Sequence, residues 1–423
     1  MPDYAERENE GIRAKRDYPV GMSGTQSSIP RIVVIGGGIA GLATAWSLAR
    51  ARQKCEIVLI EREHTIGIHS SGRSASILRT AIPDEPMRRL AEETRTFLNA
   101  PPTGFSKSRL LQKCGLIVVT DERTDPAWLR EELEVRELSR EQLATLAPHY
   151  RMQGGRALYL PQEGRIDTEE LLASLARGAV EAGAKLRMGQ TVESLIHASG
   201  EVRGVRLATG ESLHADWTVI AAGGWAARLG NQAGSQQAFT PTRRHIVVSK
   251  KLAGIDPHWP IVWDDGGRFY ARPEDGGWLL CTCDETEIDP DRCEIVPAVQ
   301  NEILSASTKY LRGFPGGTRA SAESVRHFWA GMRTFGPDKR SVIGPDPDVG
   351  GLFWVAGLGG HGITTSIGTG SLAAALLLGA DAPGASAFSP AGRAPVSRRE
   401  GVDGAALDTT AKTTRQSATG RLG

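Results

Sequence analysis

The chain has 423 residues, of which 40% are hydrophobic and 23% charged, and its formal net charge at pH 7 is +1. This composition is typical of a globular protein, and the length predicts two domains rather than one core. A charge near zero gives no reason to expect nucleic acid or an anionic membrane as a partner, and no apolar run approaches the ~18 residues of a bilayer span. Five cysteines and an N-terminus without a signal-like apolar stretch favour free thiols and a cytoplasmic location.

The two ends, residues 1–30 and 386–423, are rich in small and polar residues without periodicity, and we expect both to be disordered. Between them, hydrophobic periodicity and capping residues predict regular elements. The predicted helices are Ile39–Arg50, Glu85–Leu98, Glu141–Ala147, Thr168–Gly183 and Ser366–Leu378. The predicted strands of the first architecture are Arg31–Ile35, Glu56–Ile60, Leu186–Ile196, Val202–Leu207, Trp217–Ala222 and Gly351–Ala356.

A different pattern begins near residue 240. Short strands separated by Asp-Gly and Gly-Gly turns predict an antiparallel sheet, with strands at His245–Ser249, Ile261–Asp264, Arg268–Arg272 and Trp278–Cys283. The predicted fold is therefore α/β: a discontinuous Rossmann-like domain (31–105, 160–235 and 326–385) with an inserted antiparallel substrate domain (106–159 and 236–325). Cys281 and Cys283 point the same way on their strand, but no second Cys/His pair follows, so buried thiols are favoured over a metal site.

The sharpest motif is a glycine-rich turn between a strand and a helix. Gly36 permits the tight turn, Gly38 lets the backbone approach a pyrophosphate, and Gly41 lets the helix pack on the strand. Glu61 follows the second strand, where its carboxylate can accept ribose hydroxyls, and an acid there disfavours a 2′-phosphate. The loop at 67–75, rich in hydroxyls and backbone donors, favours FAD over NAD because it supplies a second surface for pyrophosphate and ribityl.

Several ordered motifs together resemble the D-amino acid oxidase family of flavoproteins, which also contains sarcosine and glycine oxidases. They are the glycine turn, Glu61-Arg62, Ser70–Ser74, Ala222–Trp225 and Gly357–Gly362. Within that family the chain looks most like the bacterial D-arginine dehydrogenases, over nearly all of residues 31–385. The stretches shared with them include Gly254–Asp256, His258–Pro260 and Phe328–Arg333.

The resemblance implies a set of FAD contacts. It places the ribose on Glu61 with Arg62 beside it, and the adenine on the backbone of Val192. The rest of the cofactor would lie on four loops, near residues 36–41, 70–75, 222–225 and 359–364. These loop residues are Gly36, Gly38, Ile39, Ala40, Gly41, Ser70, Ser71, Arg73, Ser74, Ala75, Ala222, Gly223, Trp225, Gly359, Gly360, Gly362, Ile363 and Thr364. The cofactor is expected to be non-covalent, because position 331, which the resemblance matches to the tethering cysteine of some relatives, is Gly331, and position 73, which it places near the tethering histidine of others, is Arg73.

The resemblance also implies a substrate clamp. Arg333 matches the arginine that holds the substrate carboxylate, Arg244 a second arginine, and Tyr270 a tyrosine on the substrate side; a guanidinium fork suits a carboxylate in a dry pocket. Strand alternation allows only one of Arg243 and Arg244 to face inward. Tyr270 can equally be an ordinary strand aromatic, and His361 either a proton acceptor or a structural histidine.

The positions that grip the cationic substrate tail in D-arginine dehydrogenases are occupied by Ile77, Ile82 and Leu116. Burying a guanidinium against aliphatic side chains costs several kcal/mol, which predicts poor activity on D-Arg and a preference for apolar D-amino acids. The expected reaction is FAD-dependent oxidation of the amino acid C–N bond, with oxygen or a quinone-type carrier as electron acceptor. N-methyl amino acids, 2-hydroxy acids and a role as an accessory flavoprotein subunit remain alternatives.

Overall fold

The computed structural model describes residues 29–51, 54–121, 129, 134–316 and 322–392. The helices in these residues are α1 (Ile39–Arg50), α2 (Glu85–Asn99), α3 (Arg140–Leu146), α4 (Thr168–Glu181), α5 (Ala226–Gln232), α6 (Pro297–Tyr310) and α7 (Ser366–Leu377). The strands are β1 (Arg31–Ile35), β2 (Glu56–Ile60), β3 (Ile77–Leu78), β4 (Leu111–Lys113), β5 (Leu116–Thr120), β6 (Arg136–Leu138), β7 (Arg156–Leu160), β8 (Gly164–Ile166), β9 (Lys185–Arg187), β10 (Val192–Ala198), β11 (Glu201–Leu207), β12 (Ser212–His214), β13 (Trp217–Ile220), β14 (Thr240–Ser249), β15 (Ile261–Asp264), β16 (Phe269–Glu274), β17 (Gly277–Cys281), β18 (Thr286–Glu287), β19 (Val325–Phe335), β20 (Val342–Pro345) and β21 (Leu352–Ala356).

The nucleotide-type domain is built on a six-stranded sheet in the order β20-β21-β13-β1-β2-β9, parallel except for the β20–β21 pair. Its central strands are continuous apolar runs because both faces are covered. Helices α1, α2, α4 and α7 share the core on one face, and the small antiparallel sheet β10-β11-β12 packs on the other. This is the Rossmann-like architecture that the sequence predicts.

The predicted strand Leu186–Ile196 is in fact two strands in different sheets. β9 joins the parallel sheet, and β10 starts the small antiparallel one. Gly189 lies between them with a left-handed φ of +67°, which a strand does not accommodate. Its amide is bonded to the Glu63 carbonyl at 2.9 Å, so the break turns the chain along the edge of the nucleotide-type domain.

The second domain is a nine-stranded sheet in the order β18-β14-β17-β16-β15-β5-β7-β6, with β19 also paired to β14. Most pairs are antiparallel, as the turn signals predict, but β5 and β15 are parallel. The antiparallel β14–β19 ladder is long, running from Thr240↔Phe335 to Ser249↔Val325. The predicted domain boundary at residue 326 is therefore wrong by about ten residues, because Val325–Phe335 belongs to this sheet.

The two faces of the large sheet have different partners. One face, with Phe269 and Leu280, packs under α3 and α6. The opposite face, with Tyr270 and Leu279, turns toward the loops of the nucleotide-type domain around Ala75. Because side chains alternate along a strand, every second residue of β14, β16 and β19 points toward the domain junction. The candidate site residues of the second domain lie on that face.

The predicted disordered ends fall largely outside the described residues, at 1–28 and 393–423. The prediction is wrong for residues 386–392, because Phe388 is 3% exposed and packs into the core of the nucleotide-type domain. No helix in the described part of the chain is both long and apolar enough to cross a membrane.

Candidate active site

An elongated cavity of roughly 600 Å³ lies where the two domains meet. The loops that follow β1, β2, β13 and β21 form one wall, at the carboxyl edge of the parallel sheet. That edge is where open α/β sheets bind ligands. The junction-facing side of the large sheet forms the other wall, so the cavity has a nucleotide end and a substrate end.

The glycine turn has the geometry of a close cradle. Gly36 has φ +115°, and a Cβ there would lie 2.5 Å from the Ala221 carbonyl oxygen, so no other residue fits. A Cβ on Gly41 would lie 2.0 Å from the Gly36 oxygen, which explains how α1 starts tight against β1. Gly38 faces the cavity, with only the Ser71 Oγ within 4 Å of a notional Cβ. The N-cap residue Gly38 has no side chain to cap α1, and the Ser71 Oγ accepts from the Ile39 amide at 3.0 Å, so a phosphate here would meet the N-terminus of α1 beside the Ser71 hydroxyl.

Glu61 is held in place at the end of β2. Its carboxylate accepts hydrogen bonds from the Gly37 amide at 2.5 Å and the Glu63 amide at 2.9 Å, while its side chain also lines the cavity. Nearby, the Gln190 Oε1 is buried and lacks a hydrogen-bond partner among the described residues. An orphaned acceptor beside a fixed carboxylate fits the donors of a ribose and a base.

Most of the predicted cofactor residues come together in this cavity. Those that line it are Gly36, Gly38, Ile39, Ala40, Glu61, Arg62, Ser70, Ser71, Ser74, Ala75, Val192, Ala222, Gly223, Trp225, Gly359, Gly360, Gly362, Ile363 and Thr364. Gly41 and Arg73 lie just outside the lining. Arg73 instead donates to the Ala330 carbonyl at 3.0 Å and so ties the 67–75 loop to β19. Among the lining groups, the Arg62 guanidinium stacks 3.9 Å from the Trp225 ring.

Arg244 and Arg333 lie side by side at the substrate end. In the β14–β19 ladder Thr242 is opposite Arg333 and Arg244 is opposite Gly331, which puts both arginines on the same face. Arg243 lies on the other face and donates to the Glu294 carbonyl. Both cavity arginines are 7% exposed.

The two arginines differ in their partners. Arg244 donates to the Asp284 carbonyl at 2.8 Å and forms an ion pair with Glu285 at 2.5 Å. Arg333 donates to the carbonyl of Met332 at 2.9 Å, and no ion pair to it occurs within the described residues. Burial and the neighbouring Arg244 cation lower the pKa of Arg333. A buried cation without a counterion is the arrangement that an anionic ligand would stabilise.

Tyr270 and His361 complete the predicted set. Tyr270 is 1% exposed and stacks on Trp263 with ring centroids 4.6 Å apart, and burial raises its pKa well above the usual value. Burial, followed by the charges of three cavity arginines, lowers the pKa of His361 to about 4. The imidazole is therefore neutral at pH 7 and has a lone pair available for a proton.

Only one of the three predicted aliphatic pocket residues belongs to the cavity lining. Ile77 lines the cavity. Ile82 is packed in the core of the nucleotide-type domain, and Leu116 is fully buried beneath the large sheet's junction face. Neither contributes to the lining, so this part of the predicted pocket is wrong, and the expectation of an apolar substrate loses two of its three supports.

The structure adds charged residues that sequence reasoning missed. Arg79, Asp265, Arg268 and Glu285 all line the substrate end, together with Trp263. They come from three segments far apart in sequence, so no local motif marks them. The only available signal was the Asp-Asp-Gly-Gly turn after β15, whose acids precede a reversal of the chain. No group of three or more His, Cys, Asp or Glu side chains in the described ranges is placed to hold a metal ion.

Comparisons with known proteins agree with this geometry. Residues 31–376 match the family described as DAO, FAD dependent oxidoreductase. The chain is 27% identical over 363 residues to the glycine oxidase of Geobacillus kaustophilus, covering 82% of this chain and 92% of that enzyme. It is 26% identical over 360 residues to 4-methylaminobutanoate oxidase (formaldehyde-forming) of Paenarthrobacter nicotinovorans, covering 80% of this chain but only 42% of that protein. The crystal structure of the Geobacillus kaustophilus glycine oxidase superposes with a TM-score of 0.74 at 24% identity, over 86% of this chain and 100% of that one. Neither of these two enzymes is named as a D-arginine dehydrogenase, so that narrower resemblance stays a prediction.

Proposed function

The chain belongs to the FAD-dependent oxidoreductase (DAO) family, and from this premise we propose that it oxidises the C–N bond of a small amino acid or N-alkylated amino acid. One observation carries the proposal: the buried Arg333 guanidinium lines the cavity and has no ion pair within the described residues. The relatives named above support the reaction class, since each is named for oxidation of an amino acid or a methylamino acid.

The nucleotide end would hold FAD. Gly36 and Gly38 would admit the pyrophosphate to the N-terminus of α1, and Glu61 would accept the ribose hydroxyls. When bound, FAD supplies the two-electron oxidation of the substrate, and the protein supplies position and electrostatics.

The substrate end would orient the amino acid. Arg333 would bind the carboxylate, with Arg244 beside it held rigid by Glu285 and the Asp284 carbonyl. The neutral His361 imidazole would face the substrate nitrogen and could accept a hydrogen bond from it, and loss of an ammonium proton frees the nitrogen lone pair for the oxidation. Oxidation of the Cα–N bond gives an imine, and water hydrolyses the imine to an oxo acid and ammonia or an amine.

The test is anaerobic mixing of the purified flavoprotein with single compounds while its visible absorption near ~450 nm is recorded, a band characteristic of the flavin cofactor. The panel is glycine, sarcosine, D-alanine, D-leucine and D-arginine. Bleaching by any of them supports C–N oxidation by the isolated chain and argues against a purely accessory role. If none bleaches the band and a 2-hydroxy acid does, the proposal is wrong.

The narrower expectation is an apolar D-amino acid, and it now rests on Ile77 as the one predicted aliphatic residue in the cavity lining. The same panel tests it through the ratio of kcat/KM for D-leucine and D-arginine. A higher value for D-arginine, or bleaching only by glycine and sarcosine, would contradict it.

A further inference from the structure

The substrate end of the cavity carries more positive charge than one carboxylate needs. Four arginines line it, Arg79, Arg244, Arg268 and Arg333, against two carboxylates, Asp265 and Glu285. Glu285 is paired with Arg244. If the substrate carboxylate occupies Arg333, positive charge remains near Arg79 and Arg268.

Arg79 is positioned for a ligand. Its backbone amide donates to the Thr364 Oγ1 at 3.1 Å, which anchors it to the glycine loop after β21. Its guanidinium lies 4.5 Å from the Trp263 ring centroid, and its Nε is buried without a hydrogen-bond partner among the described residues. A stacked guanidinium that is not fully satisfied, on a side chain that is 14% exposed and lines the cavity, is available for an acceptor there.

Asp265, the acid next to Arg79, does not satisfy all hydrogen-bond donors of the Arg79 guanidinium. Asp265 approaches the Arg79 Nη2 only at 3.4 Å, its side chain is 44% exposed, and it also accepts from the Trp263 indole at 2.7 Å. A long, half-solvated pair of this kind contributes little stabilisation. Arg268 donates to the Cys283 carbonyl at 2.8 Å at the rim, and no ion pair to it occurs in the described part of the chain.

Arg79 and the two clamp arginines line one cavity. Trp263 pairs with Tyr270 and Tyr270 with Cys281, and the β14–β17 register continues this row to Ile246, two residues from Arg244. Trp263 and Arg244 are therefore three strands apart across the sheet and offset by two residues along it, and Arg333 lies one strand beyond Arg244, with adjacent strands ~4.8 Å apart. The Arg79 guanidinium lies over Trp263, at the β15 side of this span. The charges of Arg79, Arg244 and Arg333 all lower the pKa of His361, as expected if the three guanidinium groups face one space.

We propose that this site selects a substrate with two anionic groups: an amino or N-substituted amino acid whose first carboxylate binds Arg333 and whose second carboxylate binds Arg79. This inference rests on the proposed function. It names the substrate class as dicarboxylic, in place of the apolar one that the sequence suggests.

The first experiment compares each dicarboxylate with its own neutral amide in the purified holoenzyme: D-aspartate with D-asparagine, D-glutamate with D-glutamine, and iminodiacetate with its monoamide. We expect at least one dicarboxylate to exceed its amide by tenfold or more in kcat/KM. In Arg79→Met that ratio should fall toward one, because the dicarboxylate loses the partner of its second carboxylate and the amide does not. Arg79→Lys should restore part of the ratio. The matched control is Arg89→Met, which removes an exposed arginine of α2 that pairs with Glu85.

A second experiment does not need turnover. Succinate and butyrate are titrated into the holoenzyme and binding is followed through the flavin spectrum. Succinate should bind at least tenfold more tightly than butyrate in the wild type, and Arg79→Met should remove the difference. Asp265→Asn should tighten succinate binding several-fold, because it frees Arg79 from its weak partner.

The outcomes separate the two proposals. If sarcosine or glycine bleaches the flavin but succinate binds no better than butyrate and no dicarboxylate exceeds its amide, this inference is wrong and the proposed function stands. If Arg79→Met loses FAD during purification, Arg79 serves the cofactor and the inference is also overturned. If no amino acid of either panel reduces the flavin, the proposed function itself fails.

Discussion

Replacing Arg333 with methionine should weaken substrate binding and at the same time stabilise the substrate-free protein. The substrate carboxylate would lose its buried charged partner. Truncating one member of such a pair costs about 2–4 kcal/mol, or roughly a 30- to 700-fold increase in Kd. The expected effect on KM has the same size, provided substrate dissociation is fast relative to chemistry.

The stability effect has the opposite sign because of what surrounds the side chain. Arg333 is 7% exposed, has no ion pair within the described residues and lies next to the Arg244 cation. Without substrate, the protein therefore bears the desolvation of this charge without compensation. Replacing even a buried ion pair with apolar side chains of similar volume is often neutral or stabilising by about 1–4 kcal/mol, and Arg333 has no ion pair to lose within the described residues.

Two assays on the same preparation test the reasoning. KM is measured by anaerobic flavin reduction with the best substrate of the panel, and Tm is measured by circular dichroism without substrate. Arg243→Met is the matched control, because its side chain lies on the opposite face of β14 and bonds the Glu294 carbonyl. A KM within threefold of the wild type, combined with a lowered Tm, would mean that Arg333 is a structural residue.

Three further predictions follow from the geometry. Gly36→Ala should abolish FAD retention, because Gly36 has φ +115° and the new Cβ would lie 2.5 Å from the Ala221 carbonyl oxygen. The ratio of flavin to protein absorbance measures retention, and the control is Gly154→Ala, where a Cβ meets nothing within 4 Å. The protein should lose stability as pH falls below about 6.5, because burial lowers the folded-state pKa of His149 to about 3 and the unfolded chain alone takes up the proton. At pH 5 the difference is at most about 2 kcal/mol, and His149→Phe should flatten that part of a urea-denaturation profile; an unchanged slope would refute the assignment. Acid precipitation should release all of the flavin into the supernatant, and colour left in the pellet would contradict non-covalent attachment.

The nucleotide half of the site was readable from the sequence because its determinants are local. Gly36, Gly38 and Gly41 act through backbone contacts within one strand–turn–helix unit, and Glu61 follows the next strand. Each constraint operates over ~30 residues, so spacing alone carries the information. The regular elements of this domain were predicted well for the same reason.

Tertiary structure alone decided which residues join the large sheet and which aliphatic residues are buried in a core. Val325–Phe335 joins β14 through a ladder that spans about 80 residues of sequence, which no local pattern reports. Ile82 and Leu116 occupy core positions, since an aliphatic residue can satisfy a core and a pocket wall equally well and only packing distinguishes them.

Of the charged residues at the substrate end, some could be identified from the sequence and others only from the structure. Arg333 could be singled out because it matches the carboxylate-binding arginine of the family that the sequence resembles. Arg79 and Asp265 are unremarkable in sequence and acquire meaning only when the junction of the two domains brings them together over Trp263. Sequence determined the glycine turn and the following acid that would hold the cofactor, because backbone geometry is specified locally. The character of the substrate pocket was decided by the fold, because the electrostatics of a cavity depends on side chains that only tertiary structure makes neighbours.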